Sequence, residues 1–189
     1  MKKLGLTLVL ALVSLLMNAQ VFEVEGKSKD EIHSIINQWI AENYNSANNV
    51  IQMNDKEAGT IIVKGVTDIT TKNLIGKAIL KNNSYVTEYV ESPIKYTLTI
   101  NIRDGKYRLI LDTVNNYDLS TEGISDDVAA AIKKGLTDIP YVSAKKEQRI
   151  IDATLAQGVL TKQALRVFVS NLGESIKDYI VEFNNNDDW

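Results

Sequence analysis

The chain has 189 residues, with 24 Asp and Glu against 21 Lys and Arg, and it contains no cysteine. Without cysteine there is no disulfide framework, no thiolate nucleophile and no Cys-ligated metal site. The net charge of −3 argues against a surface that follows nucleic-acid phosphates, because such surfaces depend on Lys and Arg.

Residues 1–19 have the pattern of a secretory signal peptide. Lys2 and Lys3 form a basic start, residues 4–17 are almost wholly apolar, and Ala19 supplies the small residue before the cut. The apolar run of about fourteen residues is shorter than the roughly 20 that span a bilayer. We therefore predict cleavage near Ala19, export to the periplasm or the outside of the cell, and no membrane span afterwards. Cleavage leaves 19 basic and 24 acidic residues, a net charge of −5.

A strand and a helix open the mature chain. Residues 21–26 (VFEVEG) alternate apolar and acidic side chains and end at glycine, which predicts a half-buried strand followed by a break. Ser28 and Glu31 have the spacing of a reciprocal capping box at a helix start. The apolar residues that follow recur at three- and four-residue steps and form one stripe: Ile32, Ile35, Ile36, Trp39, Ile40 and Tyr44. We predict a helix that packs this stripe against a sheet.

Two runs rich in β-branched residues, 50–53 and 60–66, predict a pair of strands. The link between them carries Gly59 and the polar sequence Asn-Asp-Lys-Glu at positions 54–57. One interpretation of this link is a calcium or carbohydrate contact through its amide and carboxylate oxygens. Calcium, however, takes six to eight oxygen ligands, and nothing nearby in the sequence supplies them. We favour the other interpretation, the turn of a hairpin.

The clearest hairpin spans residues 94–114 (IKYTLTINIRDGKYRLILDTV). Apolar and polar side chains alternate on both sides of Asp104 and Gly105, a favoured two-residue turn. We expect Pro93 to mark the entry to the first of these strands. Residues 67–92, which precede it, have a less regular pattern.

The C-terminal part is predicted to be mostly helical. Residues 115–141 look peripheral and hold a short helix with a Ser125 cap, acidic residues in its first turn and Gly135 as its stop. A second helix, over residues 144–157, is expected to end at Gly158.

The last predicted helix carries apolar residues from Leu165 to Phe183 at three- and four-residue steps. We expect Gly173 to bend it, at a cost of about 1 kcal/mol relative to alanine. Residues 184–189 form a polar tail. No linker or repeat divides the chain, so we predict a single α+β domain over residues 20–183, with helices on one face of a largely antiparallel sheet and extra helices toward the C-terminus.

Several of these stretches resemble a known family. They are the end of the secretion signal (NAQ), VFEVEGKSKDEI, INQWIAENYNSANNVIQMNDKEAGTIIVKG and YTLTINIRDGKYRL. Together they are similar to a Bacteroidetes family of secreted proteins of unknown function with a TBP-like fold, over residues 21–113. The resemblance implies a curved antiparallel sheet covered by helices on one face, and it implies no catalytic residues. Residues 115–163 depart from it by being longer and more helical, which suggests a cover or a contact surface.

No group of residues predicts a catalytic or a metal site. His33, the sole histidine, lies at the edge of the helical stripe and is interpreted as a surface or boundary residue. A Ser-His-Asp arrangement stays open, because triads occur in several chain orders, but no nucleophile motif supports it. Asp126 and Asp127 suit the first turn of a helix, where the dipole favours acids. Asp187 and Asp188 lie in the tail.

Other residues have weaker functional interpretations. Four tyrosines could stack on a sugar or a lipid from an open sheet face, or else belong to the core: Tyr85, Tyr89, Tyr96 and Tyr107. The alternation of apolar and polar side chains along the predicted strand places Tyr96 on the core face, with Leu98 and Ile100. Residues 112–114 (Asp-Thr-Val) resemble an O-glycosylation site of exported Bacteroidetes proteins, and residues 82–84 (Asn-Asn-Ser) form an N-glycosylation sequon.

The sequence therefore predicts an exported, non-catalytic binding or interaction domain of the cell envelope, without a cofactor, metal or catalytic residue. Its partner would be an envelope protein or a small ligand, contacted through the sheet face that helices leave open or through residues 115–163. The alternative is a small envelope hydrolase that uses carboxylates, since glycosidases need little more than two of them. Nucleic-acid binding by analogy with the fold is disfavoured by the acidic charge.

Overall fold

The computed structural model of the chain describes residues 19–44, 46–80, 84–113, 126–137 and 143–185. The signal peptide up to residue 18, the Ser125 cap, the sequon residue Asn82 and the paired acids Asp187 and Asp188 lie outside the described residues. Within them, no helix combines the length and the apolar character that a membrane crossing requires.

The described strands form one five-stranded sheet. Its strands are β1 (Ala19–Glu23), β2 (Ile51–Asp55), β3 (Thr60–Lys72), β4 (Tyr89–Arg103) and β5 (Lys106–Thr113). They lie in the order β1-β5-β4-β3-β2, and the pairs β1–β5, β4–β5 and β2–β3 are antiparallel. The predicted α+β class with an antiparallel sheet is confirmed.

Five helices accompany the sheet in the described residues: α1 (Lys29–Asn43), α2 (Ala47–Val50), α3 (Leu74–Leu80), α4 (Asp126–Thr137) and α5 (Ala144–Asn185). The chain forms two compact units. The first takes its described residues from the ranges 1–67, 94–120 and 167–189, and the second from 68–93 and 121–166. The single domain over residues 20–183 stays a prediction.

Helix α1 forms as its sequence predicts. The Ser28 amide donates to Glu31 Oε2 at 2.8 Å, and the Glu31 amide donates to Ser28 Oγ at 3.3 Å, so both halves of the capping box are present. Hydrogen bonds from the Ser28 amide and the Ser28 hydroxyl to Oε2 hold the pKa of the Glu31 carboxyl below its usual value. The stripe then faces the core, where Ile32, Ile36 and Ile40 are fully buried.

The β4–β5 hairpin is confirmed, with Arg103 paired to Lys106 across a turn in which Gly105 has a φ of +70°. Pro93 lies inside β4 and not at its entry, since the strand begins at Tyr89.

In the first unit, α5 packs on the sheet through Tyr107. The Tyr107 ring stacks on Phe22 of the neighbouring strand, with 5.2 Å between centroids. Its hydroxyl donates to the Gly173 carbonyl at 2.6 Å, and burial raises the pKa of Tyr107. A Cβ at position 173 would overlap the Phe22 ring. Gly173 therefore permits close helix–sheet packing, a role that differs from the predicted bend.

The prediction of two separate C-terminal helices is wrong, because α5 continues from Ala144 to Asn185 through Gly158. A glycine in a helix interior costs about 1 kcal/mol but keeps its amide and carbonyl, so it does not by itself end a helix. Buried Ile151 and Leu165 on either side of Gly158 supply contacts that outweigh this cost. Helix α4 likewise continues two residues past Gly135, to Thr137.

The region that the sequence analysis describes as irregular contains more structure than expected. Strand β3 extends to Lys72, and α3 follows directly. Thr71 is buried at 8% exposure and its hydroxyl accepts a hydrogen bond from the Gln157 side chain. Asn73 starts α3 because its Oδ1 accepts from the Gly76 amide at 2.9 Å. The alternation of apolar and polar residues does not predict the end of β3, because the buried position 71 is polar and its hydrogen-bond partner, Gln157, is far away in the sequence.

Candidate functional site

The sheet of the first unit has two different faces. Side chains that point toward the helices are buried, among them Leu98, Ile100, Tyr107 and Leu109. The opposite side, here called the outer face, is exposed or half-exposed. It includes Val21 and Glu23 of β1, Lys64 of β3, Thr97, Thr99, Asn101 and Arg103 of β4, and Lys106, Arg108, Ile110 and Asp112 of β5. This face corresponds to the open sheet face expected from the sequence.

A cavity of about 410 Å³ lies at one end of the outer face. We call it the basic cavity, because four cationic side chains line it: Lys29, Arg103, Lys106 and Arg108. Val21, Ala58 and Asn101 are also among its lining residues, and no Asp or Glu is. A positive cavity is notable on a chain whose net charge is −3.

The strand register brings three of these cations together. Arg103 lies opposite Lys106 across the turn, and Arg108 lies between Asn101 of β4 and Val21 of β1. Opposite residues on one face have Cβ atoms about 4.5–5.5 Å apart, and like charges in such a pair are destabilising. The Arg103–Lys106 pair is therefore unfavourable by itself, and Glu23, opposite Lys106 on β1, offsets part of this cost.

Lys29, the fourth cation, reaches the cavity from the start of α1. Its amide donates to Asp104 Oδ1 at 2.7 Å, and its Nζ donates to the Glu57 carbonyl at 2.8 Å. The Gly105 amide donates to the Lys27 carbonyl at 2.8 Å and fixes the hairpin turn to the same segment. Because the acceptor of Nζ is a neutral carbonyl, the positive charge of Lys29 is not compensated by this bond.

The cavity cations have no ionic partner in the part of the chain that the structure describes. Ion pairs join Lys27 to Glu31 at 3.4 Å and Lys56 to Asp30 at 3.3 Å, and neither involves a cavity cation. Glu23 lies opposite Lys106 in the β1–β5 register, yet these two side chains form no ion pair. Positive charge in the cavity is therefore available to a ligand.

The polar link at 54–57 is the tip of the β2–β3 hairpin, as predicted. Asp55 Oδ1 accepts from the Ala58 amide at 2.8 Å, and Asn54 Nδ2 donates to Asn37 Oδ1 at 2.6 Å. Gly59 has a φ of +64°, as the turn requires. Asn54 and Asp55 thus have structural roles, and among the described residues no cluster of three or more His, Asp or Glu is placed to hold a metal ion.

His33 is buried, at 6% exposure, so its interpretation as a surface residue is wrong. The β2–β3 hairpin tip covers this edge of the stripe through the contact between Asn54 and Asn37. His33 Nδ1 lies 3.2 Å from the Asn37 amide nitrogen, and Nε2 has no hydrogen-bond partner among the described residues. Burial lowers the pKa of His33, and the Lys56 ammonium acts in the same direction, while Asn54 and two nearby carboxylates oppose them.

Two of the tyrosines belong to the core. Tyr96 and Tyr107 are 5% and 1% exposed and face the helices. The hydroxyls of Tyr96 and Tyr44 lie 3.0 Å apart, and burial, followed by this bond, raises the pKa of Tyr44. Tyr85 and Tyr89 are exposed. The core interpretation is therefore confirmed for the pair on the hairpin.

The remaining candidates do not form a site. Asp126 and Asp127 are exposed in the first turn of α4, as the helix dipole favours. Thr113 is 6% exposed on the buried side of β5, so its hydroxyl has no room for a glycan. Asp112, its neighbour, lies on the outer face.

The basic cavity is absent from the predictions made from the sequence. A signal for part of it was present, because alternation around the Asp104–Gly105 turn places Arg103, Lys106 and Arg108 on the polar face. Lys29 is brought there only by contacts between distant segments.

The chain matches one protein-family model and is similar to solved structures. A family model described as a domain of unknown function (DUF4468) with TBP-like fold matches residues 19–116. Among solved structures, a TBP-like protein from Parabacteroides distasonis is 21% identical, with a TM-score of 0.47, over 86% of this chain and 90% of that one. A DUF4468 family protein from Bacteroides ovatus is 14% identical, with a TM-score of 0.38, over 80% of this chain and 82% of that one.

No curated protein matches the chain. The family match covers more than half of the sequence and includes β1, α1 and the β4–β5 hairpin, the elements that carry the resemblance noted from the sequence. The chain belongs to the DUF4468 family, domains of unknown function with a TBP-like fold.

Proposed function

We propose that the protein is an exported, non-catalytic domain that binds an envelope protein or ligand through the outer face of its sheet. The observation that carries the proposal is the basic cavity, whose cations have no ionic partner among the described residues. Val21 beside it is 49% exposed, so an apolar contact is available as well. The signal-peptide pattern of residues 1–19 supports export.

The alternative, a small hydrolase, needs two carboxylates that approach a substrate from both sides. One cavity of about 440 Å³ has three acids among its lining residues: Glu174, Asp178 and Glu182. These three residues follow one another at four-residue steps on a single helix, and all are exposed. Acids spaced along one surface of a helix are typical of a solvated face, so this arrangement favours the binding proposal.

In-cell photocrosslinking tests the proposal. A photoreactive amino acid replaces Val21 or Lys64 on the outer face, and Val181 on α5 serves as the matched control. Val21 and Val181 are 49% and 50% exposed, so the two positions differ in their place on the fold and not in accessibility.

We expect discrete adducts from positions 21 and 64 and none from position 181. Mass spectrometry of the adducts then names the partner. Equal adduct formation at all three positions, or adducts from position 181 alone, would contradict binding through the outer face.

A further inference from the structure

We propose that the basic cavity binds a small molecule that carries two or more anionic oxygen groups, carboxylate or phosphate. This inference rests on the proposed function and specifies the ligand chemistry of the same face.

The charge of the cavity is the first argument. Lys29, Arg103, Lys106 and Arg108 line one small space that no carboxylate shares. Arg103 and Lys106 are directly opposite each other, an arrangement that is unfavourable in an empty site. A bound dianion or trianion would compensate this repulsion. Because several cations surround the space, they favour a ligand that carries more than one negative charge.

The donor geometry is the second argument. Arg103 on β4 and Arg108 on β5 each present a planar guanidinium, which binds carboxylate and phosphate oxygens in pairs. Asn101 Oδ1 accepts from Thr60 Oγ1 at 3.4 Å, which orients the Asn101 amide nitrogen as a further donor for ligand oxygens. The site therefore offers hydrogen-bond donors to a ligand, and its lining contains no carboxylate that could accept a hydrogen bond from the ligand.

The size and the walls of the cavity are the third argument. Its volume of about 410 Å³ falls within the range of small-molecule sites, roughly 300–1,000 Å³. Val21 and Ala58 add apolar surface, which suits an organic anion better than a bare inorganic ion. Glu23, opposite Lys106 on β1, and Asp112, farther along β5, would repel a long polyanion that followed the sheet.

The cavity is also held in shape before any ligand arrives. The Val24 amide donates to the Gly105 carbonyl, and the Gly105 amide donates to the Lys27 carbonyl, both at 2.8 Å. The bonds of Lys29 to Asp104 and to the Glu57 carbonyl attach α1 to both hairpin turns. Such preorganisation lowers the entropy cost of binding.

Isothermal titration of the purified protein tests the inference at low ionic strength. The probes are citrate, for the carboxylate class, pyrophosphate, for the phosphate class, and glucose as an uncharged control. We expect at least one anion to bind, with an affinity that falls as salt is added, and no heat from glucose. The anion that binds more tightly identifies the class. Failure of both anions to bind, or binding of glucose with similar affinity, would overturn the inference.

Variants locate the site. Because a charge-assisted hydrogen bond contributes about a factor of ten or more to affinity, Arg108→Gln and Arg103→Gln are each expected to weaken anion binding about tenfold. Lys64→Gln removes a cation from the same face but outside the cavity and is expected to change affinity less than about twofold. Thermal unfolding confirms that all three variants fold. An equal loss in the Lys64 variant would show a diffuse charge effect and overturn the proposed site.

The two proposals fail in different ways. Adducts from positions 21 and 64 without anion binding by the purified protein would remove only the ligand class. Loss of those adducts would remove the outer face as the binding surface in the cell.

Discussion

Gly173→Ala tests how α5 packs against the sheet. Gly173 lies in the helix interior, where alanine is ordinarily the better residue by about 1 kcal/mol. Here, however, a Cβ would overlap three carbon atoms at the tip of the Phe22 ring. That ring is 8% exposed and stacked on Tyr107, so it cannot move aside without losing core contacts.

The magnitude follows from three contributions. Overpacking a core by one methyl group costs about 1–3 kcal/mol, and a shift of the helix would also weaken the Tyr107–Gly173 hydrogen bond, worth about 1 kcal/mol. The gain in helix propensity offsets about 1 kcal/mol of this cost. We expect a net loss of about 2 kcal/mol, which lowers the Tm by about 4–8 °C in a chain of this length.

Chemical and thermal unfolding measure the effect, and Gly135→Ala is the matched control. Gly135 also lies in a helix, but a Cβ there meets nothing within 4 Å, so we expect a stabilisation of about 0.5–1 kcal/mol. In a Phe22→Ala background, Gly173→Ala should no longer destabilise, because the overlapping ring is gone. A stabilising Gly173→Ala in the native background, or an equal loss in both backgrounds, would refute this account of the packing.

Two further predictions concern α1. Ser28→Ala removes the capping box and should lower the free energy of unfolding by about 1 kcal/mol. Ser46→Ala is the control and should lower it by only about a few tenths of a kcal/mol, because Ser46 makes no side-chain cap bond. Equal losses in the two variants would be inconsistent with a stabilising cap at Ser28. The second prediction concerns His33, whose pKa is lowered from 6.5 by burial; the polar groups that face it are Asp30, Asn54, Asp55 and Lys56. As the pH falls below 6.5, the histidine of the unfolded chain therefore takes up a proton before that of the folded chain. The free energy of unfolding should therefore fall as the pH drops below 6.5, and this fall should be smaller in His33→Gln; identical pH profiles in urea unfolding would argue against it.

Elements with local signals were predictable from the sequence. Helix α1 has its capping box and apolar stripe within one continuous segment, and the β4–β5 hairpin has its turn residues between two alternating runs. Both depend on contacts between residues that are close in the chain. The end of β3 and the continuity of α5 were missed because they depend on distant partners, such as Thr71 with Gln157.

The same distinction applies to the site. Alternation alone could have placed Arg103, Lys106 and Arg108 on one face, since they flank a two-residue turn. The proximity of Lys29, by contrast, depends on the bonds that join the start of α1 to the hairpin turn, between residues far apart in sequence. The covering of His33 by the β2–β3 hairpin tip is another such contact.

The yield of photocrosslinked adducts from position 21, compared with position 181 in the same cells, tests the central claim most directly. These positions are equally exposed, and only position 21 borders the basic cavity. Binding through the outer face predicts a discrete adduct at position 21 and none at position 181. A similar yield at both positions, or an adduct at position 181 alone, would contradict it.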